Sequence, residues 1–280
     1  MHVRKLGLIV VVGALFSVGL GAPPAGGGET MRVYLFAGQS NMTGAATFAG
    51  ELATAAPQLQ VPSQDVVFWG PTSDLRRKWA PLQPPNEVLQ NMFRAGFGPE
   101  LSAGRRLADL HPHSRIAILK YAWNATSLYH DWDPHQERGI YRAMVASART
   151  AIQRLEATYK ADAKIAGFFW MQGESDSDKA VHAKAYGANL ANFVKSVRRD
   201  FRSPRLPVVI GRVANLKKYR PFFPNSHIVR KAQHKVAGAD PYTWLVSTDD
   251  IEHSRLSPIH FSTRGTLQLG KRFVQKRFGL

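Results

Sequence analysis

MRVYLFAGQSNMTG, residues Met31–Gly44, decides the fold and puts chemistry at its tip. VYLFA is a continuous apolar run of strand length that breaks at Gly38, and Ser40 follows between two amides, Gln39 and Asn41. A short buried strand ending in a glycine turn with one hydroxyl at its tip is how an α/β protein presents a nucleophile above the carboxyl end of its sheet. A strand-to-loop junction with an ordinary surface serine gives the same string. The other strand ends therefore have to be read before Ser40 is assigned a role.

Further strands are expected at Val66–Trp69, Arg115–Tyr121 (RIAILKY), Lys164–Met171 (KIAGFFWM), Leu206–Gly211 (LPVVIG) and Thr243–Ser247. Helical spacing of apolar residues marks Pro99–Leu110, Gly139–Tyr159, Lys179–Phe201, Ser226–Ala239 and Thr263–Phe278, with Pro99 suited to a first helical turn. Strands alternating with helices of this length build βαβ units. The expected fold class is α/β, a mostly parallel sheet covered by helices on both faces. Residues 71–98, with prolines at 71, 81, 84 and 85, read as a long surface excursion of the kind that shapes a cleft.

Residues 1–22 have the pattern of a signal peptide: Arg4 and Lys5, then an apolar core, then small residues near Ala22. Residues 23–30 read as a flexible lead-in, leaving 31–280 as a single domain. The expected location is secreted or periplasmic, and the apolar core is short for a membrane span. With no cysteine in 280 residues, disulfides, thiolate nucleophiles and cysteine-ligated zinc are excluded together. Lys and Arg number 37 against 20 Asp and Glu, a formal charge of +17. The cations are scattered, with no regular aromatic interleaving and no phosphate-loop spacing, which disfavours nucleic acid. An acidic glycan or envelope surface suits the charge better.

Ligands of such a sheet bind beyond the carboxyl ends of its strands. Those positions supply Gly38-Gln39-Ser40-Asn41, Gly98-Pro99-Glu100, Trp123-Asn124-Ala125-Thr126, Gln172-Gly173-Glu174-Ser175-Asp176 and Ser257-Pro258-Ile259-His260. Serine hydrolysis needs a hydroxyl, an imidazole to take its proton, and donors for the oxyanion. Ser40 and His260 supply the first two. Gly98 can offer a backbone N–H, and Gln172 a side-chain amide. Gln39, Asn41, Trp123, Asn124 and Glu174 are the candidate substrate-binding residues. Tyr129, Trp132, Trp69 and Trp79 join Trp123 as aromatic faces able to border a sugar cleft. No metal-ligand spacing appears, so neither metal nor organic cofactor is expected.

FAGQSNM, then WMQGESD, then IHFSTRGTLQLGKRF resembles the SGNH-hydrolase superfamily, specifically its sialate O-acetylesterase and acetyl xylan esterase type. The ordered blocks span the chain from Met31 onward. The resemblance implies a three-layer α/β/α sandwich with a flavodoxin-like sheet (the SGNH hydrolase fold), no cofactor, and O-acetylated carbohydrate as substrate. It implies Ser40 as acyl acceptor, Gly98 and Gln172 as oxyanion donors and His260 as general base. The chain departs from the pattern twice. Asn124-Ala125 stands where the family usually shows two glycines, and Ser257 stands where it usually has the aspartate that orients the histidine. Neutralising a triad aspartate costs roughly 10⁴-fold in rate elsewhere.

Three readings follow from Ser257: a Ser-His dyad; a carboxylate recruited from Asp249, Asp250, Glu252, Glu174 or Asp176; or a weak or inactive relative that binds glycans without hydrolysing them. A lipid or other acyl ester hydrolase fits the nucleophile equally well and would have a long apolar groove.

Overall fold

The computed structural model describes residues 30–70, 78–87, 89–215 and 223–278. The expected signal peptide, residues 1–22, and all but the last residue of the expected lead-in, 23–30, lie outside the described residues. The first described strand is β1, Thr30–Gly38, which is buried along most of its length because Val33, Leu35, Phe36 and Ala37 face helices on both sides of the sheet. The remaining strands are β2 (Val66–Trp69), β3 (Ala80–Pro81), β4 (Ile116–Ala122), β5 (Asp162–Met171), β6 (Val208–Gly211) and β7 (Thr243–Val246). They form one seven-stranded sheet in the order β3-β2-β4-β1-β5-β6-β7. Every pairing is parallel except the short β2–β3 edge.

Two short helices, α1 (Ser40–Thr43) and α2 (Leu52–Ala55), follow β1. The longer ones are α3 (Glu100–Leu110), α4 (Ile140–Tyr159), α5 (Ala180–Asp200), α6 (Ser226–Gly238) and α7 (Thr263–Phe278). They cover both faces of the sheet, giving the three-layer α/β/α sandwich. Helices α3 and α7 pack together, with Ser102 Oγ donating to Leu267 O at 2.8 Å. Tyr141 of α4 meets Phe193 of α5 edge-on, and Phe193 also lies against Trp170 of β5 with ring centroids 4.3 Å apart. Buried aromatics of this size dominate core energetics and lock the α4 and α5 layer to the sheet.

One expectation is corrected. The proline-rich stretch from residue 71 to 98 is not simply a surface excursion. Residues 71–77 and 88 lie outside the described residues, but Leu82, Glu87, Asn91 and Phe97 are buried. The stretch returns to the segment after Ser40 and packs against it. Asn91 Nδ2 donates to Gly44 O at 2.7 Å and to Thr47 O at 2.8 Å.

Candidate active site

The register of the central strands builds the site. Gly38 pairs with Ala122 of β4 on one side and Met171 of β5 on the other, so three strands end level. The chain leaves β1 toward the β2 edge and leaves the adjoining β5 toward the β7 edge, and ligands of open α/β sheets sit at such a switch point. Gly38 has φ of 146°, and a Cβ there would lie 2.0 Å from Met171 O. No side chain fits, which is the physical reason for the glycine. The chain then turns so that Gln39 N–H bonds Met171 O at 2.9 Å, and Ser40 opens α1. Ser40 is 7% exposed, at the floor of the switch point.

His260 arrives from the opposite end of the sequence, on the loop between β7 and α7. Asn41, beside Ser40, holds it there. Asn41 Oδ1 accepts from Phe261 N–H at 2.9 Å and Asn41 Nδ2 reaches Ile259 O at 3.4 Å, so one amide grips the residues on both sides of the histidine. The same Nδ2 donates to Glu174 Oε1 at 2.7 Å. Asn41 and Glu174 were expected to bind substrate. Both are buried, and Asn41 is spent on this clamp, its two amide protons and its oxygen all engaged, whereas Glu174 uses only Oε1 and its Oε2 has no partner among the described residues.

Ser257 Oγ stands 2.7 Å from His260 Nδ1, the position of the missing aspartate. Among the described residues no carboxylate is paired with this ring. Asp249 is held by Arg212 and by Arg230, and Asp250 by Arg272 at 2.6 Å. Asp176 caps the N–H groups of Leu128 and Tyr129 at 2.8 and 3.0 Å. Glu174 faces Asn41, and Glu252 is exposed. The histidine is thus oriented by a hydroxyl. Burial, with the nearby His253 as a smaller influence, holds its pKa below the ordinary imidazole value, which favours the neutral ring that a general base requires.

Both expected oxyanion donors have hydrogen-bond partners within the protein. Gly98 N–H donates to Glu100 Oε1 at 2.9 Å in a buried setting. Its lack of a side chain serves packing, since a Cβ would come within 2.3 Å of Met42 O. Gln172 is completely buried, and its NH₂ has two protons for three acceptors: Asp176 Oδ2 at 2.6 Å, Thr126 O at 3.0 Å and Gln39 Oε1 at 3.2 Å. Both groups are thus engaged within the protein.

Among the N–H groups at these strand ends that have no acceptor among the described residues are those of Ser40 and Ala125. Ala125 follows β4, is exposed, and adopts the left-handed conformation (φ 55°) that side chains disfavour. The signal in the sequence was the Asn124-Ala125 pair standing where two glycines are usual; the conformation still needs what a glycine would give. Gln39 adds a third candidate. Its Oε1 accepts from Gln172 Nε2, Gly173 N–H and Ser175 N–H, and its NH₂ has no partner among the described residues.

Beneath the site lies a fully buried lysine. Lys120 Nζ donates to Thr43 O at 2.8 Å and to Glu100 Oε1 at 3.0 Å, with Glu87 Oε2 at 3.9 Å. It secures the C-terminal end of α1 from below. Glu174 and Asp176 are also buried, and burial raises both carboxyl pKa values against the lowering effect of their hydrogen bonds. Of the aromatics, Trp69 and Trp132 are core residues, and Trp79 Nε1 is bonded to Ala151 O. Trp123 remains at the mouth, 37% exposed, with Tyr129 half-buried and stacked on His182 at 4.2 Å. Asn124 is held by its neighbours on both sides. Among the described residues no group of three or more His, Asp or Glu side chains is placed to hold a metal ion, and no helix is long and apolar enough to cross a membrane.

The chain matches the family model described as "Carbohydrate esterase, sialic acid-specific acetylesterase" over residues 30–278. It is 23% identical over 255 residues to the "Probable carbohydrate esterase At4g34215" of Arabidopsis thaliana, covering 87% of this chain and 89% of that protein. The crystal structure of the same Arabidopsis protein superposes with a TM-score of 0.66 at 19% identity, covering 87% of this chain and 96% of that one. XAC1771, described as a novel carbohydrate acetylesterase from Xanthomonas citri, superposes with a TM-score of 0.62 at 18% identity, covering 89% of this chain and 57% of that one. Both structures share the layered fold described above. This chain belongs to the sialic acid-specific acetylesterase family of carbohydrate esterases, with the SGNH-type sandwich, and is an esterase-type hydrolase.

Proposed function

We propose that the protein removes acetyl groups from O-acetylated sugars through a serine acyl-enzyme, with Ser40 and His260 acting as a dyad and Ser257 orienting the imidazole. The observation that carries this reading is the Asn41 clamp. The residue next to Ser40 holds both neighbours of His260, which supports pairing the hydroxyl on one segment with the half-buried imidazole on the other.

His260 Nε2 takes the Ser40 proton as Oγ attacks the acetyl carbonyl carbon. The carbonyl oxygen becomes an oxyanion facing the N–H groups of Ser40 and Ala125, with the Gln39 NH₂ as the adjoining side-chain donor. The bond from carbonyl carbon to sugar oxygen breaks, and the leaving oxygen takes the proton from His260. Water then attacks the acetyl-enzyme, giving its proton to His260. Acetate departs and Ser40 recovers its proton.

Acidic sugars of the sialic acid type are the favoured substrate class. The family description names them, and the charge of +17 attracts anionic ligands. The test is acetate release from acetylated sialic acids and acetylated xylan by the wild type and by Ser40→Ala. Release by the wild type and loss in the variant is expected. No release from any member, the outcome for a relative that only binds glycans, or equal release by Ser40→Ala defeats the proposal.

A further inference from the structure

The turn carrying the Ala125 N–H is fastened by one residue of the proline-rich stretch. Gln90 makes three hydrogen bonds to the end of β4. Its Nε2 donates to Ala122 O at 3.0 Å, its Oε1 accepts from Asn124 N–H at 2.5 Å, and its main-chain carbonyl accepts from Asn124 Nδ2 at 2.7 Å. The other end of the Asn124 amide faces the nucleophile segment: Thr43 Oγ lies 2.8 Å from Asn124 Oδ1 and 2.9 Å from Ser40 O. Gln90 is itself fixed, because buried Glu87 Oε1 accepts the N–H groups of Leu89 and Gln90, each at 3.1 Å.

These contacts form a continuous path from Glu87 through Gln90 and Asn124 to Thr43, three residues after Ser40. It passes through the Asn124-Ala125 pair, the first of the chain's two departures from the usual sequence pattern. Two glycines would adopt a left-handed turn unaided. Here the second position is alanine with φ of 55°, a conformation that persists only when its surroundings over-determine it. The Asn124 side chain supplies that constraint, and glycine has no side chain to do so.

We propose that Gln90 is a positioning residue for catalysis. Through Asn124 it holds the Ala125 N–H at a fixed offset from Ser40, where it meets the oxyanion. This rests on the serine esterase reading above. Gln90 touches neither substrate nor reacting atoms, so its effect appears where charge develops on the carbonyl oxygen and not in ground-state binding.

The experiment compares wild type, Gln90→Ala, Asn124→Ala and the double variant. The readouts are kcat and KM for p-nitrophenyl acetate, inhibition by a trifluoromethyl ketone that forms a tetrahedral adduct with the serine, and the thermal midpoint. Gln90→Ala is expected to lower kcat about 10- to 100-fold, the scale of a lost oxyanion donor or somewhat less, with KM within about twofold. Affinity for the ketone should fall in parallel with kcat/KM, and the double variant should be no worse than the poorer single one, since both cut the same path. An unchanged kcat, unchanged ketone affinity or fully additive losses would overturn the assignment. A purely structural role would lower the thermal midpoint without the split between kcat and KM. If Gln90→Ala does not fold, Asn124→Ala is measured by the same readouts, and the same outcomes support or overturn the positioning role. Wild type inactive on every ester would refute the esterase reading itself, whereas active wild type with an equally active Gln90→Ala refutes only the positioning role.

Discussion

Ser257→Asp restores a carboxylate at the position where this chain has a hydroxyl. Ser257 Oγ is 2.7 Å from His260 Nδ1. A hydroxyl both donates and accepts, so it tolerates either tautomer of the ring. Only the tautomer protonated at Nδ1 leaves Nε2 open to the Ser40 proton, and a carboxylate, which accepts only, enforces it. That selection is worth about twofold if the two tautomers are comparable. The charge matters more. An opposite charge within about 4–6 Å raises an imidazole pKa by about 1–3 units, each unit worth about 1.4 kcal/mol. His260 starts below the ordinary value because of its burial.

The wild-type profile of kcat/KM against pH should therefore have its acidic limb below about 6.5, with activity present above it and lost as the ring protonates. In Ser257→Asp that limb should move up by at least about one unit, and kcat/KM on the plateau near pH 8 should rise by about 10-fold or more. Aspartate is longer than serine, and the half-buried turn around Pro258 must yield to seat it, so the gain stays well short of the roughly 10⁴-fold effect of a native triad aspartate. Ser257→Ala serves as the opposite arm and should lose about 10-fold, the value of a hydrogen bond near 1.4 kcal/mol. An acidic limb unmoved by aspartate, or a Ser257→Ala enzyme indistinguishable from wild type, would refute the claim that this hydroxyl orients the base.

Asn41→Ala removes the grip on Phe261 and Ile259, and kcat should drop by more than about 100-fold; wild-type turnover in that variant would show that His260 needs no clamp. Lys120→Met leaves Glu100 and Glu87 buried together without their cation, so denaturant unfolding should report a loss of about 3–5 kcal/mol. Glu174 has a carboxyl pKa raised by burial, so its unfavourable contribution appears as pH rises through the unfolded value toward that folded-state value. The melting temperature of Glu174→Gln relative to wild type should therefore increase from pH 4 to pH 8, and a difference constant with pH would contradict the assignment. Gly38→Ala forces a Cβ against Met171 O and should abolish soluble folded protein or activity, read by expression and acetate release.

The apolar strands and amphipathic helices were legible because each is a local pattern: the limits of β2, of β4 to β7 and of α3 to α7 agree within two residues, whereas β1 starts three residues before its VYLFA run and the short β3 and α1 were not expected. Ser40 and His260 were legible as residue types at strand ends. The partners of Gly98 and Gln172 were not, since nothing in the string tells that Glu100 takes one N–H or that Asp176 takes the other amide. Nor could composition reveal that prolines around residues 81–85 lead into a buried segment, because burial depends on where the chain returns.

By itself the sequence determined the layered α/β fold, the serine at the tip of its first strand, and the absence of an aspartate three residues before the histidine. Those facts are written in short-range periodicity and in residue identity. Only the tertiary structure decided that Ser257 is the hydrogen-bond partner of His260 Nδ1, that Asn41 is a clamp, and that the Gly98 N–H is taken by Glu100 while that of Ala125 has no acceptor among the described residues. Hydrogen-bonding capacity is finite, and which groups remain unspent is settled by neighbours that lie far apart along the chain.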